Sequence, residues 1–142
     1  IHYKNRVDSI KKYFKNRKMN YTDWCYSSIS DVKSNIREAN IEKYTKLIKG
    51  DVMTTLGKEN NIPANISLLR LDIDWYQSTI KELEVLYPRL IEKGILLIDD
   101  YGHWKGCQKA VDEYFNRDIN KTFKQMMWVT DYSGRAIIKL KE

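Results

Sequence analysis

Leu68-Leu-Arg-Leu-Asp-Ile-Asp-Trp-Tyr-Gln-Ser-Thr79 and Ile95-Leu-Leu-Ile-Asp-Asp-Tyr-Gly-His-Trp104 decide how this chain reads. Each is a short apolar run that ends in carboxylates. Runs of this length, rich in Leu and Ile and bounded by polar residues, have the pattern of strands buried on both faces of a parallel sheet. Residues 78–93 between them have helix length, so the unit is β-α-β. Asp72, Asp99 and Asp100 then sit at the carboxyl ends of two neighbouring strands, the edge where an open α/β sheet binds its ligands. Three carboxylates gathered there repel one another and are driven towards protonation unless a cation lies among them. Their hard oxygens suit Mg²⁺ or Ca²⁺.

Outward from this unit, the spacing predicts further elements. Residues 3–18 form a basic amphipathic helix through Val7, Ile10, Tyr13 and Phe14, and residues 19–27 a loop. Ser28 and Asp31 make a near capping box for a helix over 28–39, with Asn40 as its stop. Residues 44–48 read as a strand and 52–56 as a short helix. In the central helix Thr79 and Glu82 read as a capping box. Its buried stripe is Ile80, Leu83, Leu86, Leu90 and Ile91, Pro88 kinks it or starts a new turn, and Gly94 ends it. Residues 105–116 form a helix with Cys107, Ala110, Val111, Tyr114 and Phe115 on one face. Residues 125–130 and 135–140 are strands, and the four residues between them are short enough to force an antiparallel hairpin.

Composition sets the outer bounds. A chain of 142 residues makes one domain with a real core, here 1–142 with a basic segment over 1–20. No apolar run reaches the ~20 residues of a membrane span, and the basic start lacks the apolar stretch of a signal peptide. Cys25 and Cys107 are too few for a disulfide framework, so a reduced, cytoplasmic setting is expected. The net charge of +6 is concentrated near the start, at Lys4, Arg6, Lys11, Lys12, Lys15, Arg17 and Lys18. A nucleic-acid surface would use that patch with Tyr3, Tyr13 and Phe14. A solvated helix face is the commoner outcome, so neither nucleic acid nor membrane is expected as a partner.

A parallel sheet closed by an antiparallel hairpin resembles the C-terminal half of the Rossmann-like, class I S-adenosylmethionine-dependent methyltransferase fold. Four segments are similar to the macrocin O-methyltransferase family: residues 69–79, 87–90 (Tyr-Pro-Arg-Leu), 98–106 (Ile-Asp-Asp-Tyr-Gly-His-Trp-Lys-Gly) and 109–115 (Lys-Ala-Val-Asp-Glu-Tyr-Phe). Weaker likeness takes in Trp24-Cys-Tyr26, the helix at 28–39, Lys49-Gly-Asp51 and residues 131–135. The resemblance implies a sugar O-methyltransferase that uses S-adenosylmethionine and Mg²⁺. It makes Asp72, Asp99 and Asp100 the metal ligands and Asp72 also the general base. Gly50 and Asp51 (adenine side) and Tyr101 become cofactor contacts. The acceptor is a small molecule, a sugar or glycoside.

One departure stands out. The family's cofactor site begins with a strand, a glycine-rich turn and a helix, whereas the six glycines here have no G-x-G spacing. The sequence therefore reads as the C-terminal portion of a methyltransferase domain, with doubtful cofactor binding on its own. A sheet without its first strands exposes an apolar edge, which favours association between copies.

Other residues have blander readings beside the functional ones. Asp99-Asp100 alone could be a helix cap and a solvated turn. Asp74 could cap a helix or stand behind the metal. His103 could touch substrate or be an ordinary loop histidine. Trp75, Tyr76 and Trp104 could stack on a sugar or simply pack the sheet edge. Cys107 reads as core, and Arg135 has no assigned role. Two other functions compete. One is a glycosyltransferase with Asp72-Ile-Asp74 as a D-x-D metal motif, which leaves Asp99 and Asp100 unexplained. The other is a non-catalytic, partner-binding remnant.

Overall fold

The computed structural model describes residues 8–19, 26–117 and 126–140. Its framework is a four-stranded mixed sheet in the order β1-β2-β4-β3. Strand β1 (Ile66–Leu71) runs parallel to β2 (Leu90–Ile98). Strand β4 (Arg135–Ile138) is antiparallel to both β2 and β3 (Trp128–Val129). The hairpin turn is fixed by the Asp131 carboxylate, whose Oδ1 accepts from the amides of Ser133 (2.9 Å) and Gly134 (2.7 Å). The α/β fold with a closing hairpin is thus as the sequence implies. Residue 125 and the Trp24-Cys25 pair lie outside the described residues.

Helices α4 (Tyr76–Leu86) and α5 (Lys105–Phe115) pack on each other and on one face of the sheet. The core joins Leu69, Leu71, Leu96, Ile98 and Ile137 to Leu83, Val111 and Phe115. All five residues expected on the buried face of α5 are buried there. The other sheet face differs from expectation. Leu68 is 58% exposed and Ile95 37%. The strands therefore alternate as half-buried ones do, because among the described residues nothing covers their second face.

The central helix is shifted and shortened relative to its sequence reading. It starts at Tyr76, so Thr79 and Glu82 are both buried inside it and do not form a capping box. It stops at Leu86, where Tyr87–Arg89 tighten into a 3₁₀ turn around Pro88. Leu90 and Ile91 consequently belong to β2, not to a helical stripe. Gly94 does not end a helix either. It follows Lys93 (φ +63°) inside a register break, where Ile66 pairs with Leu90 but Leu68 with Ile95. A Cβ on Gly94 would sit 2.8 Å from the Ile91 carbonyl, which is why glycine is needed in this bulge.

Among the described residues, three α-helices lie before the sheet. Helix α1 (Ser9–Asn16) is shorter than the predicted 3–18, since Asp8 caps its start and Arg17 is extended. Helix α2 (Ile29–Glu38) carries the expected capping box of Ser28 and Asp31, and Asn40 follows it at φ +54°. The predicted strand at 44–48 is absent. Glu42–Tyr44 form a 3₁₀ turn, and no described strand lies beside the extended residues after it. Helix α3 (Val52–Thr55) follows, with Asp51 as its cap.

Candidate active site

Asp72 follows β1, and Asp99 and Asp100 follow β2. The Asp99 amide donates to the Leu71 carbonyl at 3.0 Å, extending the parallel ladder one step and bringing the two strand ends level. One carboxylate oxygen from each of Asp72, Asp99 and Asp100 lies within 4.8 Å of the others. Three hard anionic oxygens this close form a donor set suited to a hard divalent cation.

Asp74 joins them. Its carboxyl lies within hydrogen-bonding reach of that of Asp100, and each perturbs the other. Burial, followed by the charges of Asp74, Asp99 and Asp72, pushes Asp100 up to about 7. Burial also raises Asp74, against the lowering effect of that contact. A second buried acid stands behind the cluster. Glu82 is pushed up to about 7 by burial first and by Asp72 second, and its Oε2 has no hydrogen-bond partner among the described residues. Sequence reading missed this role because Glu82 resembles a helix-start residue.

Arg70 was also missed. Its Nη1 lies 2.8 Å from Asp72 Oδ2 and its Nη2 2.7 Å from Asp99 Oδ1. The available signal was the Arg70-x-Asp72 spacing, which puts both side chains on one face of a strand.

The cofactor candidates are spread more widely. Asp51 accepts from the Met53 amide (2.7 Å) and borders a recess of about 360 Å³. Val52, Met53, Ile73, Trp75, Gln77 and Ser78 complete that recess. Gly50 has φ +146°, and a Cβ there would meet Thr55 at 2.9 Å. Tyr101 is not among the lining residues. Its hydroxyl donates to Asp112 at 2.8 Å, and its ring lies under the Arg135 guanidinium. Arg135 is buried, with Nη1 2.6 Å from the Gly134 carbonyl, so it closes the hairpin turn.

The remaining candidates divide between core and rim. Trp104 is 4% exposed and packs edge-on against His103. His103 Nδ1 is 3.1 Å from the Tyr132 hydroxyl. Trp75 meets Tyr13 of α1 edge-on, and Tyr76 donates to Glu113. Cys107 is buried, which pushes its thiol up to about 12 and makes it core, as the sequence suggested. Of the basic segment, Lys12 does not simply face solvent: its Nζ lies 5.0 Å over the Trp104 ring.

The family model of the macrocin O-methyltransferases (TylF) matches residues 6–135. The chain belongs to this family. A demethyldecarbamoylnovobiocin O-methyltransferase of Streptomyces niveus is 43% identical over 49 residues, 34% of this chain and 19% of that protein. An 8-demethyl-8-(2,3-dimethoxy-alpha-L-rhamnosyl)-tetracenomycin-C 4'-O-methyltransferase of Streptomyces olivaceus is 44% identical over 52 residues, 37% of this chain and 20% of that protein. Among solved structures, the O-methyltransferase NovP is similar at TM-score 0.66 and 26% identity, over 80% of this chain and 46% of that one. CalS11, a TDP-rhamnose 3'-O-methyltransferase, shares the fold at TM-score 0.56 and 16% identity, over 80% of this chain and 53% of that one. The chain spans about half the length of these two structures. Membership of a methyltransferase family removes the support for a glycosyltransferase reading of Asp72-Ile-Asp74. No helix among the described residues is long and apolar enough to cross a membrane.

Proposed function

We propose that this protein acts in an S-adenosylmethionine- and Mg²⁺-dependent O-methylation of a hydroxyl on a sugar or sugar-containing small molecule. The observation that carries the reading is the convergence of Asp72, Asp99 and Asp100 at the carboxyl ends of β1 and β2. The names of the family relatives, which include methyltransferases of novobiocin and rhamnosyl-tetracenomycin precursors, support a sugar-bearing acceptor.

Asp72, Asp99 and Asp100 would hold Mg²⁺. When bound, that ion supplies Lewis acidity, which lowers the pKa of a neighbouring acceptor hydroxyl. Asp72 would take the hydroxyl proton as general base. Asp100, pushed up to about 7 by burial and its acidic neighbours, would serve as a ligand in its deprotonated form. Gly50 and Asp51 would bind the adenine side of the cofactor, in or beside the recess that ends at Ser78. Tyr101, its hydroxyl tied to Asp112, would be the further cofactor contact.

Calorimetric titration of S-adenosylhomocysteine, with Mg²⁺ and then with chelator, tests the reading. Binding that Mg²⁺ strengthens is expected. Absence of binding in both conditions, in this chain and in a version extended upstream, would overturn it.

A further inference from the structure

The Arg70 guanidinium grips two of the three carboxylates at once. One arm of its fork holds Asp72 at 2.8 Å and the other holds Asp99 at 2.7 Å. The Asp99 hydrogen bond is the main reason the pKa of Arg70 is raised further. All three side chains are about half exposed, so as a surface ion pair the arrangement adds little to stability. Its geometry is more informative than its energy. A carboxylate has two oxygens, and Arg70 occupies one on each partner. A planar fork with two separate donors fixes both the spacing and the rotation of the groups it bridges, which a single point charge does not.

We propose that Arg70 is a positioning residue for the divalent cation, orienting Asp72 and Asp99 so that their remaining oxygens stay within reach of Asp100. This rests on the metal reading above and goes beyond it. Removing an outer partner of a metal-ligating group typically costs about 10- to 100-fold in affinity. An opposing effect is the repulsion between Arg70 and a bound cation, which would make its loss favourable. Arg70→Lys separates the two effects, because it keeps the charge and removes the fork.

The test is Mg²⁺ calorimetry on the parent protein, Arg70→Lys and Asp72→Asn, with metal-free thermal unfolding as the control for fold. The parent binds Mg²⁺, Asp72→Asn binds it more weakly than Arg70→Lys does, and Arg70→Lys binds about tenfold more weakly than the parent with an unchanged unfolding midpoint. A parent that binds no Mg²⁺ overturns the metal reading and this inference with it. A parent that binds, beside an Arg70→Lys that binds as tightly or more tightly, overturns this inference alone. If Arg70→Lys does not fold, Arg70→Gln and Arg70→Met are compared, since both remove the charge and only Gln keeps a donor for a carboxylate. Tighter Mg²⁺ binding by the Gln variant than by the Met variant supports positioning, and equal binding overturns it.

Discussion

The Thr79 hydroxyl lies 3.0 Å from the Ile73 carbonyl, reaching from inside α4 back to the turn that carries Asp72 and Asp74. It also lies 2.9 Å from the Trp75 carbonyl, and Thr79 is fully buried. Thr79 thus ties the acidic turn to the helix behind it. Thr79→Val keeps the shape and removes the donor, leaving a buried carbonyl without it. The expected cost is about 1–3 kcal/mol in denaturant unfolding, with weaker Mg²⁺ binding and restoration by Thr79→Ser. A Val variant as stable as the parent would show that the tether is idle.

Thr79 also illustrates what sequence could and could not reveal. The threonine with a glutamate three places on was read as a helix start, because the local pattern of a capping box is the same whether or not an earlier turn of helix precedes it. The helix starts at Tyr76 with no side-chain cap, so no local pattern marks its true beginning. The hairpin and α5 were legible because turn length and a single apolar stripe determine them. The Asp72, Asp99 and Asp100 cluster was legible because strand ends in a β-α-β unit must lie side by side. Arg70 and Glu82 were not. One depends on which face of β1 turns towards Asp99, and the other on how deeply α4 sinks into the core. The strand expected at 44–48 failed for a related reason: β-propensity needs a neighbouring strand, and none lies beside it among the described residues.

The raised Asp100 carboxyl should make metal binding pH-dependent. Asp100 is pushed up to about 7 by burial and its acidic neighbours, so below that pH its carboxyl is protonated and cannot ligate. Mg²⁺ affinity should rise by about tenfold per pH unit below neutrality and level off above about pH 8. Calorimetry in buffers of different ionisation enthalpy should detect about one proton released per ion bound near pH 6.5. A pH-independent affinity would show that Asp100 is not a ligand or is not raised into this range.

Glu82 gives a separate stability prediction. Its folded pKa of about 7 is above the ordinary carboxylate value, so its contribution is fully present at low pH and is lost as pH rises through 7. At pH 8 the buried charge costs about 3 kcal/mol relative to the neutral form. Glu82→Gln should therefore unfold at a higher temperature than the parent at pH 8 and at nearly the same temperature at pH 5. An equal difference at both pH values would mean that Glu82 does not titrate in this range.

Asp72 carries two proposed roles, ligand and base, and one substitution pair separates them. Asp72→Asn keeps a neutral oxygen at the same place, so it weakens the cation and removes the base together. Asp99→Asn weakens the cation and leaves the base. In the catalytically competent protein, saturating Mg²⁺ should recover a substantial part of turnover in Asp99→Asn but little in Asp72→Asn, where general-base loss alone removes about 10²- to 10⁴-fold. The measurement is methyl transfer from labelled S-adenosylmethionine across a Mg²⁺ titration, with near-parent unfolding midpoints confirming that both variants fold. Equal recovery in the two variants would remove Asp72 from proton transfer and leave it a ligand only. Near-parent turnover in Asp72→Asn without added Mg²⁺ would remove it from both roles.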